Sequence, residues 1–234
     1  MSSIAVSGVL QRPATIYQSV IGKKVIMAVT GFILFGFVVG HMAGNLQAFL
    51  PQHPDGSYAL DTYALKLRAL GPALWAVRIV LLISVLLHAL MAFQLWRMKN
   101  AARPDGYLKK ASTVSTYASR TMYWSGPLVG LYILYHLMHF TLGVKAVSPG
   151  FMEGQVHHNL VAGFQNPLIS LVYIVANVLL AIHLYHGVWS VFQTLGVGHP
   201  RYSAALKTLA KVFAFVIGAG FVSVPLGVLT GVIR

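Results

Sequence analysis

Apolar runs dominate the chain, at about residues 25–49, 73–96, 122–144, 167–195 and 211–233, and short polar segments separate them. At about 1.5 Å per residue each makes a helix of roughly 34 Å or more, which exceeds the approximately 30 Å of hydrocarbon in a bilayer. Ser19 is placed to cap the first helix, and Lys23 and Lys24 to anchor it at the membrane surface. Residues 1–24 lack a charged start followed by a long apolar run, so they read as a lead-in with a turn at Arg12 and Pro13, not as a signal peptide. Between the first two runs, residues 51–71 hold two prolines and both signs of charge and so leave the hydrocarbon. Within them Leu60, Tyr63, Ala64, Leu67 and Leu70 recur at helical spacing, which predicts a short helix on the membrane surface. Pro127 falls inside the third run, where a transmembrane helix tolerates it, and residues 145–166 read as a loop.

These elements predict an all-α integral membrane protein, one domain over residues 1–234, with five transmembrane helices. Composition agrees: 57% of the residues are hydrophobic and 9% charged. Twelve of the 17 lysines and arginines fall on the side of the N-terminus and of the polar segment 97–120, and five on the other. That asymmetry predicts a cytoplasmic N-terminus and a C-terminus outside. The net charge of +13 flanks apolar spans, so it points to topology and lipid head groups, not to nucleic acid. With no cysteine, the chain has no disulfide, no thiolate nucleophile and no iron–sulfur ligand of its own.

Histidine is the remaining chemistry, and four of the five spans carry it. His41 and His136 lie about 24 Å from the cytoplasmic ends of the first and third spans, and so share an outer layer. His88 lies about 13 Å, and His183 about 18 Å, from the cytoplasmic ends of the second and fourth, which defines an inner layer. Paired histidines at equal depth on facing helices suit bis-histidine ligation of haem, with neutral imidazoles approaching iron from both faces of the macrocycle. Two layers imply two b-type haems in a four-helix bundle, with the fifth helix beside it. A histidine in a membrane helix can equally serve as an interhelical hydrogen bond. Copper or zinc is less favoured, since no carboxylate or thiolate accompanies the histidines in the spans. His139 and His186 each lie three residues beyond His136 and His183 on the same helix face, and depth leaves the choice within each pair open.

The segments SVIGKKVIMAVTG (19–31), HMAGNL (41–46), RIVLLISVLLH (78–88), YHLMHF (135–140) and IHLYHGVWSVFQTLG (182–196) together resemble the dihaem cytochrome b membrane anchor of succinate dehydrogenase and fumarate reductase, in its five-helix single-subunit form. The resemblance covers nearly the whole chain. It implies an anchor in a bacterial inner membrane for a flavoprotein subunit and an iron–sulfur subunit, with a higher oligomer among the assemblies it allows. Electrons would pass between the iron–sulfur clusters and a quinone, menaquinone or ubiquinone, through two haems b. Carried over by position, the ligands are His41 and His136 at the outer haem and His88 and His183 at the inner one. Proton-translocating fumarate reductases of this family carry a glutamate where Ala181 stands here, which favours succinate oxidation. The glutamates of some relatives near the outer quinone are also missing, and Asn45, Gln47 and Tyr63 are the candidate replacements.

Arg78 lies in apolar sequence, where its charge needs a partner; a propionate of the outer haem would supply one, and snorkelling to the interface is the alternative. Arg120, Lys24 and Lys211 are placed to meet the inner haem or to anchor their helices. The segment 97–120 and the one from His199 to Lys211 would face the iron–sulfur subunit. His53, His157, His158 and His199 read as solvated loop residues. The competing functions are a cytochrome b anchor of a fumarate reductase, a hydrogenase or a formate dehydrogenase, and a haem-free transporter with a histidine proton relay.

Overall fold

The computed structural model describes residues 17, 19–102, 117–197 and 199–234. Every element among them is helical: α1 (Val20–Asn45), α2 (Ala59–Ala69), α3 (Pro72–Ala101), α4 (Tyr117–His136), α5 (Val156–Phe164), α6 (Pro167–Thr194) and α7 (Ser203–Leu229). A 3-10 turn over Leu46–Phe49 extends α1, and a π-helical turn over Leu137–Thr141 extends α4. The turn expected at Arg12 and Pro13, and the bases Arg103, Lys109 and Lys110, lie outside the described residues.

Among the described residues four helices are long and apolar enough to cross a membrane: α1 with its 3-10 extension, α3, α6 and α7. The third expected span, α4, has 20 residues and is not one of these. Arg120, Thr121, Ser125, Gly126 and Pro127 occupy its first half and dilute its apolar character.

Helix ends follow local chemistry. Ser19 caps α1 as expected, its Oγ accepting from the Gly22 amide at 2.9 Å. Asn166 caps α6 by accepting from Leu168 and Ile169, and prolines begin α3 and α6, where their missing N–H costs nothing. The last span starts at Ser203, not near residue 211, so Lys207 and Lys211 ride on the helix itself.

Packing arranges the helices in a ring. α3 packs on α1, α1 on α6 and α6 on α4, while α3 and α4 meet more sparsely, with Trp96 against Tyr123 at 5.5 Å toward the uncapped end. Around the bundle the order is therefore α3, α1, α6, α4, with α1 and α4 on one diagonal and α3 and α6 on the other. α7 lies outside the ring against α6 and α1. Small residues permit this: a Cβ on Gly218 would fall 2.8 Å from Ala181 Cβ, and one on Gly220 would meet Met42.

One end of the bundle is capped. The 3-10 turn, α2 and α5 close it over a core of Ala48, Leu60, Leu160, Phe164, Tyr173, Val224, Val228 and Ile233. α2 is the short helix expected within residues 51–71. α5 departs from the loop expected over residues 145–166, and His157 is buried where a solvated ring is expected. Its backbone N–H instead donates to Asp61 Oδ1 at 2.9 Å, and its ring stacks on Tyr58 at 3.7 Å with the planes 5° apart. Burial pushes the His157 pKa below its ordinary value, with the nearby Asp61 carboxylate pulling the other way. A two-residue signal such as His157-His158 cannot reveal which ring will turn inward; His158, His53 and His199 are exposed, as expected.

Candidate functional site

The four histidines singled out by depth meet as two pairs across the two diagonals. His41 of α1 and His136 of α4 have ring centroids 5.7 Å apart and planes at 84°. His88 of α3 and His183 of α6 stand 6.2 Å apart at 58°. Helix arithmetic explains the layers. His88 is 16 residues beyond Pro72 and His183 is 16 beyond Pro167, so both lie about 24 Å from the capped end. His41 is four residues from the end of α1, and His136 ends the α-helical part of α4, beside the cap. The choice left open by the sequence resolves geometrically: His183, not His186, faces His88, and His136, not His139, faces His41.

Hydrogen bonding separates these rings from ordinary polar contacts. Among the described residues the rings of His41, His136 and His183 make no hydrogen bond, and the Nδ1 atoms of His136 and His183 are buried without a partner. Buried unpaired nitrogens are costly, so these rings are not holding helices together by polar contact. His88 differs. Its Nδ1 lies 3.1 Å from the Met27 carbonyl and 3.4 Å from Thr30 Oγ1, which is itself tied to Ile26 O. An imidazole that donates from Nδ1 keeps the lone pair on Nε2, so the α1 backbone fixes the tautomer that can bind a metal.

The outer pair has an aromatic setting. Phe37 stacks on His41 at 5.2 Å, and Tyr132, Phe140 and Tyr173 ring His136 at 6.0, 5.8 and 6.0 Å. Beside it the π-helical turn, marked by Leu142 N–H donating to Leu137 O, carries His139, which is 1% exposed. His139 Nδ1 is 3.0 Å from Tyr173 Oη, and a Cβ on Gly163 would fall 2.9 Å from the ring. His139 therefore has the partner that His136 lacks. No period in the sequence announces a π-turn, and Tyr173 sits in an apolar run where nothing marks it as polar contact.

Asn45, Gln47 and Tyr63 are brought close to this end. Asn45 Nδ2 donates back to His41 O at 2.8 Å, Gln47 lies in the 3-10 turn, and the Tyr63 ring packs on Gly44, where a Cβ would come within 2.8 Å. Arg78 stacks on Trp75 at 4.9 Å and lines a cavity with Arg68 and Glu153. Lys24, Arg120 and Lys211 are exposed near the uncapped end. The buried cation there is Lys23, 7% exposed, which donates to Gln94 Oε1 and lies 4.3 Å from the Tyr17 ring. Lys23 is thus not the surface anchor expected of it, because adjacent lysines give no sign of which one faces the bundle.

Among the described residues no three of His, Cys, Asp and Glu gather as metal donors; each meeting is of two histidines. No protein-family model, curated protein or solved structure matches the chain.

Proposed function

We propose that this chain is the membrane-anchor cytochrome b subunit of a succinate:quinone oxidoreductase, with five transmembrane helices, a cytoplasmic N-terminus and two haems b. The single observation that carries the reading is the pair of histidine meetings on the two diagonals. Two imidazoles that bind one metal from opposite sides at about 2.0 Å per nitrogen hold their centroids roughly 6 Å apart. Separations of 5.7 and 6.2 Å are of that size. A donor set of two leaves four positions for a planar macrocycle, whereas a zinc or copper site would want a third or fourth protein ligand. The seam between α3 and α4 is sparsely packed beyond the Trp96–Tyr123 contact, which leaves room for such a group.

In this reading His41 and His136 hold one haem near the capped end, and His88 and His183 hold the other deeper in the bundle. The haems supply reversible one-electron transfer. The protein supplies neutral imidazoles, an apolar wall that excludes water, and a fixed tautomer at His88 through Met27. α4 completes the five crossings, because it packs along α6 and carries His136 although its first half is less apolar. The flavoprotein and iron–sulfur partners would dock at the uncapped end. A quinone would bind near Asn45, Gln47 and Tyr63, within reach of His41.

Ala181 favours succinate oxidation over proton-coupled fumarate reduction. Its Cβ faces α7 at Gly218, so a glutamate there would have to displace the helix.

A reduced-minus-oxidised spectrum with a haem assay on the purified chain tests the proposal. Two b-type haems per chain are expected, and the absence of b-type bands or a ratio near one would overturn it.

A further inference from the structure

A cavity of about 400 Å³ opens at the capped end between α3 and the end of α4. Three separate elements build it: Arg68 from α2, Arg78 from α3, and the chain after α4, which supplies Phe140, Thr141, Leu142, Phe151 and Glu153. Two glycines shape that last stretch. Gly143 has φ +56°, and a Cβ there would run into the Phe151 ring; Gly154 has φ +86°, and a Cβ there would lie 3.7 Å from Arg68 Nη1. Phe151 is thus seated as a wall against the bare backbone of Gly143, whereas Gly154 is required by its positive φ and leaves Arg68 at ordinary contact distance.

Among the described residues the charges of this cavity have no charged partner. Arg68, Arg78 and Glu153 are exposed at the mouth of this space and form no ion pair with one another or with any described residue. Guanidinium forks suit phosphate oxygens, and a carboxylate in the same cavity would repel a simple anion. A ligand that satisfies all three carries a phosphate and, a few ångströms away, a cation. The cavity stands where the interfacial helix α2 meets the first turns of α3, the depth of lipid head groups, and Phe140, Leu142 and Phe151 offer an apolar side.

We propose that this cavity binds a phospholipid with a primary ammonium beside its phosphate, the phosphate held by Arg68 and Arg78 and the ammonium by Glu153, with an acyl chain entering the seam between α3 and α4. The proposal does not depend on haem.

Native mass spectrometry of the full chain in nanodiscs of phosphatidylethanolamine, phosphatidylglycerol or phosphatidylcholine tests it. The expected result is retention of phosphatidylethanolamine in preference to the other two, with no displacement by inorganic phosphate. Arg68→Gln with Arg78→Gln should weaken retention about tenfold or more, as expected for lost charge-assisted bonds. Glu153→Gln should leave phospholipid bound but abolish the preference for phosphatidylethanolamine over phosphatidylglycerol. Equal retention by wild type and the double arginine variant would overturn the proposal, as would a wild-type preference for phosphatidylglycerol. A double variant that keeps its lipid but loses one haem spectral component would assign the cavity to porphyrin carboxylates instead. The helical circular dichroism and thermal unfolding of each variant show that it has folded.

Discussion

His88 is held against the backbone of α1: its Nδ1 is 3.1 Å from the Met27 carbonyl, and a Cβ on Gly31 would stand 3.2 Å from its Cε1. The glycine is what lets the ring lie close enough to α1 for that bond. On the proposed two-haem reading, Gly31→Val should therefore turn His88 away and lower the haem-to-chain ratio from two toward one, with the His41–His136 pair unaffected. Two haems with unshifted spectra in that variant would show that the close contact does not position the ring.

His136 and His139 should separate cleanly by substitution. His136→Ala removes a ring that faces His41, so on the proposed reading one haem should be lost. Tyr173→Phe deletes the partner of the buried His139 Nδ1 and should cost about 1–3 kcal/mol of stability, with both haems retained. Thermal unfolding in detergent and a haem assay report the two outcomes independently; loss of haem in His139→Ala with retention in His136→Ala would reverse the assignment.

The α6–α7 contact makes position 181 intolerant of size and charge. Ala181→Glu forces a carboxylate against Gly218, so overpacking of about 1–3 kcal/mol adds to the cost of burying an acid. A fall in midpoint temperature larger than that of Ala181→Ser is the expected reading. An unchanged midpoint would mean that α7 can move aside freely.

His157 gives the cap a pH dependence. Its pKa is lowered in the folded protein by burial, so between the folded and unfolded values the unfolded chain binds more protons. The neutral ring is accommodated fully above the ordinary histidine value of about 6.5, and stability is lost as the pH falls below it. Acidification from pH 7.5 to 5.5 should lower the midpoint temperature of the wild type more than that of His157→Gln. Identical pH profiles would remove His157 as the cause.

Much of the architecture was legible because a membrane imposes one-dimensional rules. Apolar length marked helices α1, α3, α6 and α7, and a capping serine marked where α1 begins. The depth of His41, His88, His136 and His183 could be counted at a fixed rise per residue. The α4 helix was legible as an element and less so as a span, since Arg120 to Pro127 interrupt its apolar pattern. The cap was half legible: α2 shows helical periodicity, whereas α5 is nine residues long and its inward histidine is chosen by Tyr58 and Asp61, about a hundred residues earlier.

The sequence by itself determined that the chain is a set of apolar helices carrying histidines in two layers, because length, hydropathy and rise per residue are local properties. Only the tertiary structure decided which histidine of each i, i+3 pair faces across the bundle. That choice depends on helix rotation, which is set by contacts such as Gly163 on His139. The tertiary structure also decided that Lys23, not Lys24, is buried, and that Arg68, Arg78 and Glu153 share one cavity, since side chains from three elements converge there only after the helices have packed.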